Sequence, residues 1–240
     1  RFYDLGFGEA IATARTSGAR LQISHIQPKY GAPAHAMEHT LEIISAARRH
    51  GVELAFDVIP HDWAHTLVMA ILPRWALEGG VDRILERLKD DESRDQIKRN
   101  RSPMWLLVAD RLWSKIVLLN SRENPQLVGE SLEEIGKARG VDPYDAVLDL
   151  LLEEGNDMHQ LLWTSHAFLE SDIELCLKQP ECAVISDTLA LAPYGDLATQ
   201  LGSLSGYGWT SEFLNRYVKE RNVMSLSEGV RRLTSLPAQR

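Results

Sequence analysis

Cysteine is scarce: Cys176 and Cys182 are the only two in 240 residues. Two cysteines this close in sequence do not make a disulfide framework, so a reducing compartment, the cytoplasm, is the expectation. Long apolar runs are missing too. None approaches the roughly 18 residues that a membrane helix needs, so no membrane partner is expected. Positive charge is in deficit, with Lys and Arg totalling 26 against 34 Asp and Glu, a formal net charge of −8. A protein that tracks phosphates carries a basic face, so nucleic acid is not an expected partner either. Several motifs are absent. No phosphate loop or dinucleotide glycine fingerprint occurs, and Gly206-Tyr207-Gly208 is too short to be more than a loop. No G-x-S-x-G elbow occurs, which leaves serine hydrolase chemistry without support.

What remains is an ordinary globular composition, 44% hydrophobic and 25% charged, long enough for one large domain or two small ones with a sizeable core. The chain opens on Arg1 rather than methionine, without the layout of a signal peptide, and stops just after a helix-like segment. Both ends are expected to be cuts within a longer protein.

The periodicity predicts a helix over 8–17 and a short buried strand over 20–26. An amphipathic helix over 34–51 follows, with Met37, Leu41, Ile44 and Ala47 on one stripe and Gly51 closing it. "VELAFDV" is the next strand. Strand, helix, strand in this order is a βαβ crossover, which implies parallel strands. Residues 79–100 read as a charged helix with a solvated face. Ser131 with Glu134, and Ser171 with Glu174, have the spacing of capping boxes. "HQLLWTS" and "CAVISD" read as further strands, and two helices end the chain. The expected class is α/β with a parallel sheet.

In such folds ligands bind at the carboxyl ends of the strands. By that rule the predicted strands deliver His25, Asp57 with His61 and Asp62, His166, and Asp187 to one rim. Histidine with aspartate suits a divalent metal such as zinc, and general-base work on water. Each residue has a blander reading. A lone histidine after a strand is often structural, Asp187 could cap a turn, and Asp57 in an apolar strand suits backbone hydrogen bonding. Coincidence at successive strand ends favours function. Two rival metal motifs are weaker. "HAMEH", His35 to His39, has an inverted zincin spacing, but its face also carries Glu42 and Arg49 and is expected in solvent. "HDWAH", His61 and His65, has helical spacing, but Pro60 puts His61 in a loop.

Five stretches carry a resemblance: "LQISHIQPK", "ELAFDVIP", "ILPRWALEGGVDRILERL", "CAVISDTLALAPYG" and "EGVRRLTSLPAQR". In that order, over nearly the whole chain, they resemble the N-acyl-D-amino-acid deacylases (D-aminoacylases) of the metal-dependent amidohydrolase superfamily. The resemblance implies a (β/α)8 TIM-like barrel with a small β-sandwich, zinc as cofactor, and hydrolysis of N-acylated D-amino acids, small molecules. It makes residues 1–240 the C-terminal half of that barrel, about strands six to eight, with 73–130 as an insertion over the barrel mouth. His25 then matches the strand-six zinc ligand. Asp187 matches the strand-eight aspartate, which handles the proton of the attacking water and lies at the metal. The family commonly has S-H-x-K, whose lysine holds the substrate carboxylate. Here Gln27 takes that place, and Lys29 stands two residues on as its candidate substitute. The family commonly has Y-P-Y after strand seven. Here it is Ile59-Pro60-His61, with His61 the candidate to polarise the carbonyl or contact substrate. These departures bear on the substrate more than on the reaction. The remaining ligands would lie upstream of Arg1, so the segment alone is expected to be inactive. A hydantoinase- or dihydroorotase-like cyclic amide hydrolase and a non-catalytic barrel relative are the alternatives, and the oligomeric state is left open.

Overall fold

The structure is a computed structural model, which describes residues 2–100, 106–188, 192, 194–195 and 206–239. In chain order it contains α1 (Phe2–Ser17), β1 (Leu21–Ile23), α2 (Ala36–Arg49), β2 (Leu54–Val58), β3 (Trp63–Leu67), α3 (Arg74–Leu77), α4 (Gly80–Lys89), α5 (Asp91–Arg99), α6 (Leu106–Ala109), β4 (Ile116–Asn120), α7 (Leu132–Arg139), α8 (Pro143–Glu154), β5 (Leu162–His166), α9 (Glu170–Leu177), β6 (Cys182–Val184), α10 (Trp209–Glu212), α11 (Leu226–Leu233) and α12 (Ser235–Ala238). These fall into two compact units, residues 1–62 with 168–240, and Trp63–Ala167.

The first unit is built on a parallel sheet in the order β1-β2-β6. Leu21 pairs with Leu54 and Ile23 with Phe56, while Phe56 and Val58 pair with Cys182 and Val184 on the other side. β2 is central, and all five of its residues are buried, which is why "LAFDV" reads as a continuous run instead of an alternation. The α2 stripe packs Met37, Ile44 and Ala47 into the same core as Phe56, Ile173 and Cys176. Burying a side chain the size of Phe56 contributes about 2–3 kcal/mol. Both cysteines are buried and form no disulfide. Burial pushes both thiols well above their usual range.

Behind the sheet, the C-terminal helices are tied down by a buried cation. Arg232 is 3% exposed. Its guanidinium donates to the carbonyls of Gln179 at 2.6 Å and Cys182 at 2.7 Å, and pairs with Glu228 at 2.6 Å. Phe213 and Tyr217 are buried on a π-helical run over 213–220 that precedes α11. Gly229 lets α11 press onto that run, since a Cβ there would lie 2.8 Å from Val218 Cγ2.

The second unit has a sheet of its own, β3-β5-β4, and every pairing in it is antiparallel. Its core gathers Trp163, Ile116 and Leu118 from the sheet with Leu148, Leu151 and Tyr144 from α8. It contains the described residues of the stretch 73–130 and extends beyond both ends of it. The charged run is two helices rather than one. Asp90 ends α4 in an extended conformation and its side chain accepts from the Ser93 N–H, which starts α5.

No closed barrel is present among the described residues. Two further expectations are corrected. The sheets are one parallel and one antiparallel, so β5 does not extend the parallel sheet. The capping box at Ser131 and Glu134 forms, whereas that at Ser171 and Glu174 does not. There Leu169 is the cap, which leaves Ser171 inside the helix, and Glu174 pairs instead with Arg221.

Candidate active site

β1, β2 and β6 run parallel, so their carboxyl ends open on the same edge of the sheet. His25 follows β1, His61 follows β2 and Asp187 follows β6. His25 and Asp187 are both exposed. Their strands flank β2, which places their backbones about 10 Å apart at ordinary strand spacing.

The backbone singles out the same two positions. Among the described residues four non-glycine residues have positive φ, and His25 (φ 41°) and Asp187 (φ 47°) are two of them. Histidine and aspartate tolerate this region better than most residues, but it still costs of the order of 1–3 kcal/mol per residue and persists only where the surroundings over-determine it. At His25 the surroundings are visible. The Asp57 carboxylate, 3% exposed on the central strand, accepts from the His25 backbone N–H at 2.7 Å, from Gln22 Nε2 at 2.6 Å and from Ser24 Oγ at 3.1 Å. The Asp57 carbonyl accepts from the Ile26 N–H at 3.2 Å. Burial raises the Asp57 carboxyl above its ordinary value, and the His25, Gln22 and Ser24 donors oppose that rise. Gln22 and Ser24 were not singled out by the sequence reading. Their alternation with Leu21 and Ile23 was the available signal, since it sets them on one face of the strand.

The loop after β1 is anchored as well. Gln27 is 1% exposed and donates through Nε2 to the Ile59 carbonyl at 2.8 Å. The residue standing at the lysine position of the family pattern therefore ties the loops after β1 and β2 together. Lys29 is half-buried. Burial lowers its ammonium pKa, while the charge of Asp187 acts in the opposite direction. Lys29 and Asp187 thus lie within electrostatic reach of each other. His61 is half-buried in the bend that follows β2.

Other histidines do not join this edge. His166 ends β5 in the antiparallel sheet of the other unit, opposite Trp63 in register, with ring centroids 3.5 Å apart. This corrects its expected place on the parallel rim. His35 precedes α2 and His39 lies on it, both exposed, and His39 Nε2 is 3.0 Å from Asp4 Oδ1. His65 lies in β3, so it shares no helix face with His61. In the "ISDT-x-x-LAP-x-G" stretch, residues 189–191 and 193 lie outside the described residues.

Imidazole and carboxylate are suitable donors for a divalent metal, but a catalytic zinc takes three protein ligands. Among the described residues no group of three or more His, Cys, Asp or Glu side chains could hold a metal. His25 and Asp187 are donors of the right kind but are fewer than the three such a site needs. No helix among the described residues is long and apolar enough to cross a membrane.

No protein-family model matches the chain, and no curated protein does. Solved structures do. The chain is similar to an N-acyl-D-glutamate deacylase from Bordetella bronchiseptica, solved with zinc and a phosphonate inhibitor that mimics the tetrahedral intermediate. The identity is 23% and the TM-score 0.64, covering 97% of this chain and 38% of that one. It is similar to D-aminoacylase, described with a binuclear metal centre, at 19% identity and TM-score 0.65, with the same coverage. A D-aminoacylase variant in complex with copper chloride matches at 17% identity and TM-score 0.65. The chain thus shares the fold of part of these enzymes, spanning 38% of their length.

Proposed function

We propose that this chain is part of a metal-dependent amidohydrolase that cleaves the amide of an N-acyl-D-amino acid to a carboxylate and a free D-amino acid. The observation that carries this reading is the pair of strained residues. His25 and Asp187 stand at carboxyl ends of strands in one parallel sheet, and both are held at positive φ. Strain of that kind clusters at functional sites. The likeness in fold to deacylases supports the choice of reaction.

On this reading the first unit is a portion of a (β/α)8 barrel, with β1, β2 and β6 as strands six to eight, and the 73–130 stretch belongs to an insertion in the chain between strands seven and eight. His25 is a ligand of the metal, zinc by preference, and Asp187 lies beside it. A bound divalent metal supplies Lewis-acid chemistry, acidifying water or polarising the amide carbonyl. Asp187 accepts the proton of the attacking water and returns it to the leaving amine. Lys29, close to Asp187, receives the substrate carboxylate. His61, on the loop after β2, faces the carbonyl side of the substrate. The scarcity of cysteine suits a cytoplasmic setting.

The experiment is Asp187→Asn in the full-length protein, assayed on a panel of N-acetyl-D-amino acids, N-acetyl-L-amino acids and cyclic amides. A general base contributes about 10²–10⁴-fold, so turnover of the D-substrates should fall at least about 100-fold. Near wild-type turnover in the variant overturns the assignment of Asp187. Preference for the cyclic amides overturns the substrate. Absence of both metal and turnover in the wild type favours a non-catalytic relative.

A further inference from the structure

Four donors from one five-residue window converge on Asp57. They are the side chains of Gln22 and Ser24 and the backbone N–H groups of His25 and Ile26. Asp57 comes from the middle strand of the sheet, where every neighbour in β2 is apolar and buried. A carboxylate is a costly side chain to bury. A strand that needed only to be held in the sheet would be held by its ladder, which β1 and β2 already form over Leu21–Ile23 and Leu54–Phe56. The carboxylate acts beyond the end of that ladder. It engages Ser24 and His25 where the chain leaves the strand and turns into positive φ at His25.

We infer that Asp57 is a positioning residue for His25: its carboxylate holds the strained turn at the end of β1 and so fixes where the exposed imidazole projects. The inference rests on the reading of His25 as a working residue of the rim. The division of labour is physical. Oδ1 grips the His25 backbone N–H. Oδ2 grips Gln22 and Ser24, and so orients the carboxylate itself. The hydrogen bond to His25 is made by its backbone N–H and not by its ring. Sequence neighbours alone could not supply such a grip, because Asp57 is 32 residues from His25 and reaches it only through the parallel pairing of β1 with β2.

A structural role and a positioning role differ in a double-mutant cycle. In the full-length protein, zinc affinity is measured by competition with a chromophoric chelator for the wild type, Asp57→Asn, His25→Ala and the double variant. Thermal melting is recorded on the same samples. Groups that orient a metal ligand are worth about 10–100-fold in affinity. Asp57→Asn should therefore weaken zinc binding about tenfold or more when His25 is present, and less than about twofold when it is absent. An equal loss in both backgrounds, or no loss in either, overturns the inference. If His25→Ala leaves zinc affinity unchanged, the reading of His25 itself fails, which is a different outcome from Asp57→Asn alone being silent. Should Asp57→Asn not fold, Gln22→Ala with Ser24→Ala loosens one carboxylate oxygen from exposed positions. It should weaken zinc binding about threefold or more, again only when His25 is present. An equal effect in both backgrounds overturns the inference there too.

Discussion

Two stretches of this chain look alike as text. Residues 21–25 read LQISH and residues 162–166 read LWTSH. Each is an apolar start, then serine, then histidine. In the fold they part company. LQISH enters a parallel sheet, and its histidine leaves the strand at positive φ beneath a buried aspartate. LWTSH lies between two antiparallel partners, β3 and β4, and its histidine remains in the strand against the Trp63 ring. A parallel sheet gathers the ends of its strands on one edge, where side chains from distant parts of the chain meet. In an antiparallel sheet neighbouring strands alternate in direction, so their ends go to opposite edges. The same short pattern therefore arrives at a candidate site in one unit and at an aromatic packing contact in the other.

The most direct way to break this comparison is to remove each histidine in the full-length protein. On the proposed function, His25→Ala should lower kcat/KM for an N-acetyl-D-amino acid roughly 100-fold or more, as loss of a metal ligand does. His166→Ala should cost less than about threefold on the same assay. Equal losses would mean that both strand ends serve the reaction.

Stability sharpens the contrast next, because the parallel unit depends on an ion pair behind its sheet. Arg232→Ala strands the carbonyls of Gln179 and Cys182 together with Glu228. It should lower unfolding free energy by about 3 kcal/mol in urea titrations. The partner gives this a pH signature. Arg231 and then Arg232 hold the Glu228 carboxyl at about 2, below its ordinary 4.5. A depressed carboxyl stabilises the fold fully above about pH 4.5 and loses that contribution as pH falls toward 2. Glu228→Gln should remove this part of the acid sensitivity, measured as the melting temperature between pH 5 and pH 2. An unchanged slope would show that Glu228 does not couple to folding.

The smallest expected effect compares two caps of the same apparent spacing. Ser131→Ala in the antiparallel unit should cost about 1 kcal/mol, because Ser131 accepts the Glu134 N–H and the Glu134 carboxylate answers it. Ser171→Ala should be near neutral, because no box forms there. Matching losses at the two serines would overturn the cap assignment.

Much of the first unit was readable in advance. The α2 stripe of Met37, Ile44 and Ala47 appeared as core, and the β1–α2–β2 crossover appeared as parallel pairing. Both follow from periodicity, which acts within one element. The strand over "LLWTS" was readable too, but its partners were not, since one apolar strand looks much like another until it is paired. Ser171 failed for a related reason. The cap spacing at Ser171 falls two residues past the cap that forms, Leu169, and Glu174 was drawn to Arg221, 47 residues away. At the site, His25, Asp187 and His61 were nameable from residue type and strand-end position, and Lys29 only from the resemblance. The positive φ of the first two was not, because neither is glycine.

By itself the sequence determined several of the helices and strands, the apolar faces that had to be covered, and a short roster of residues able to do acid–base or metal chemistry. Those are properties of residue type and spacing. Only the tertiary structure decided that β1, β2 and β6 share one parallel sheet, that β5 belongs to another, and that Asp57 closes on the turn at His25. The physical reason is range. Propensity and periodicity act over a few residues, whereas a buried carboxylate finds its donors only after the strands that carry them have paired.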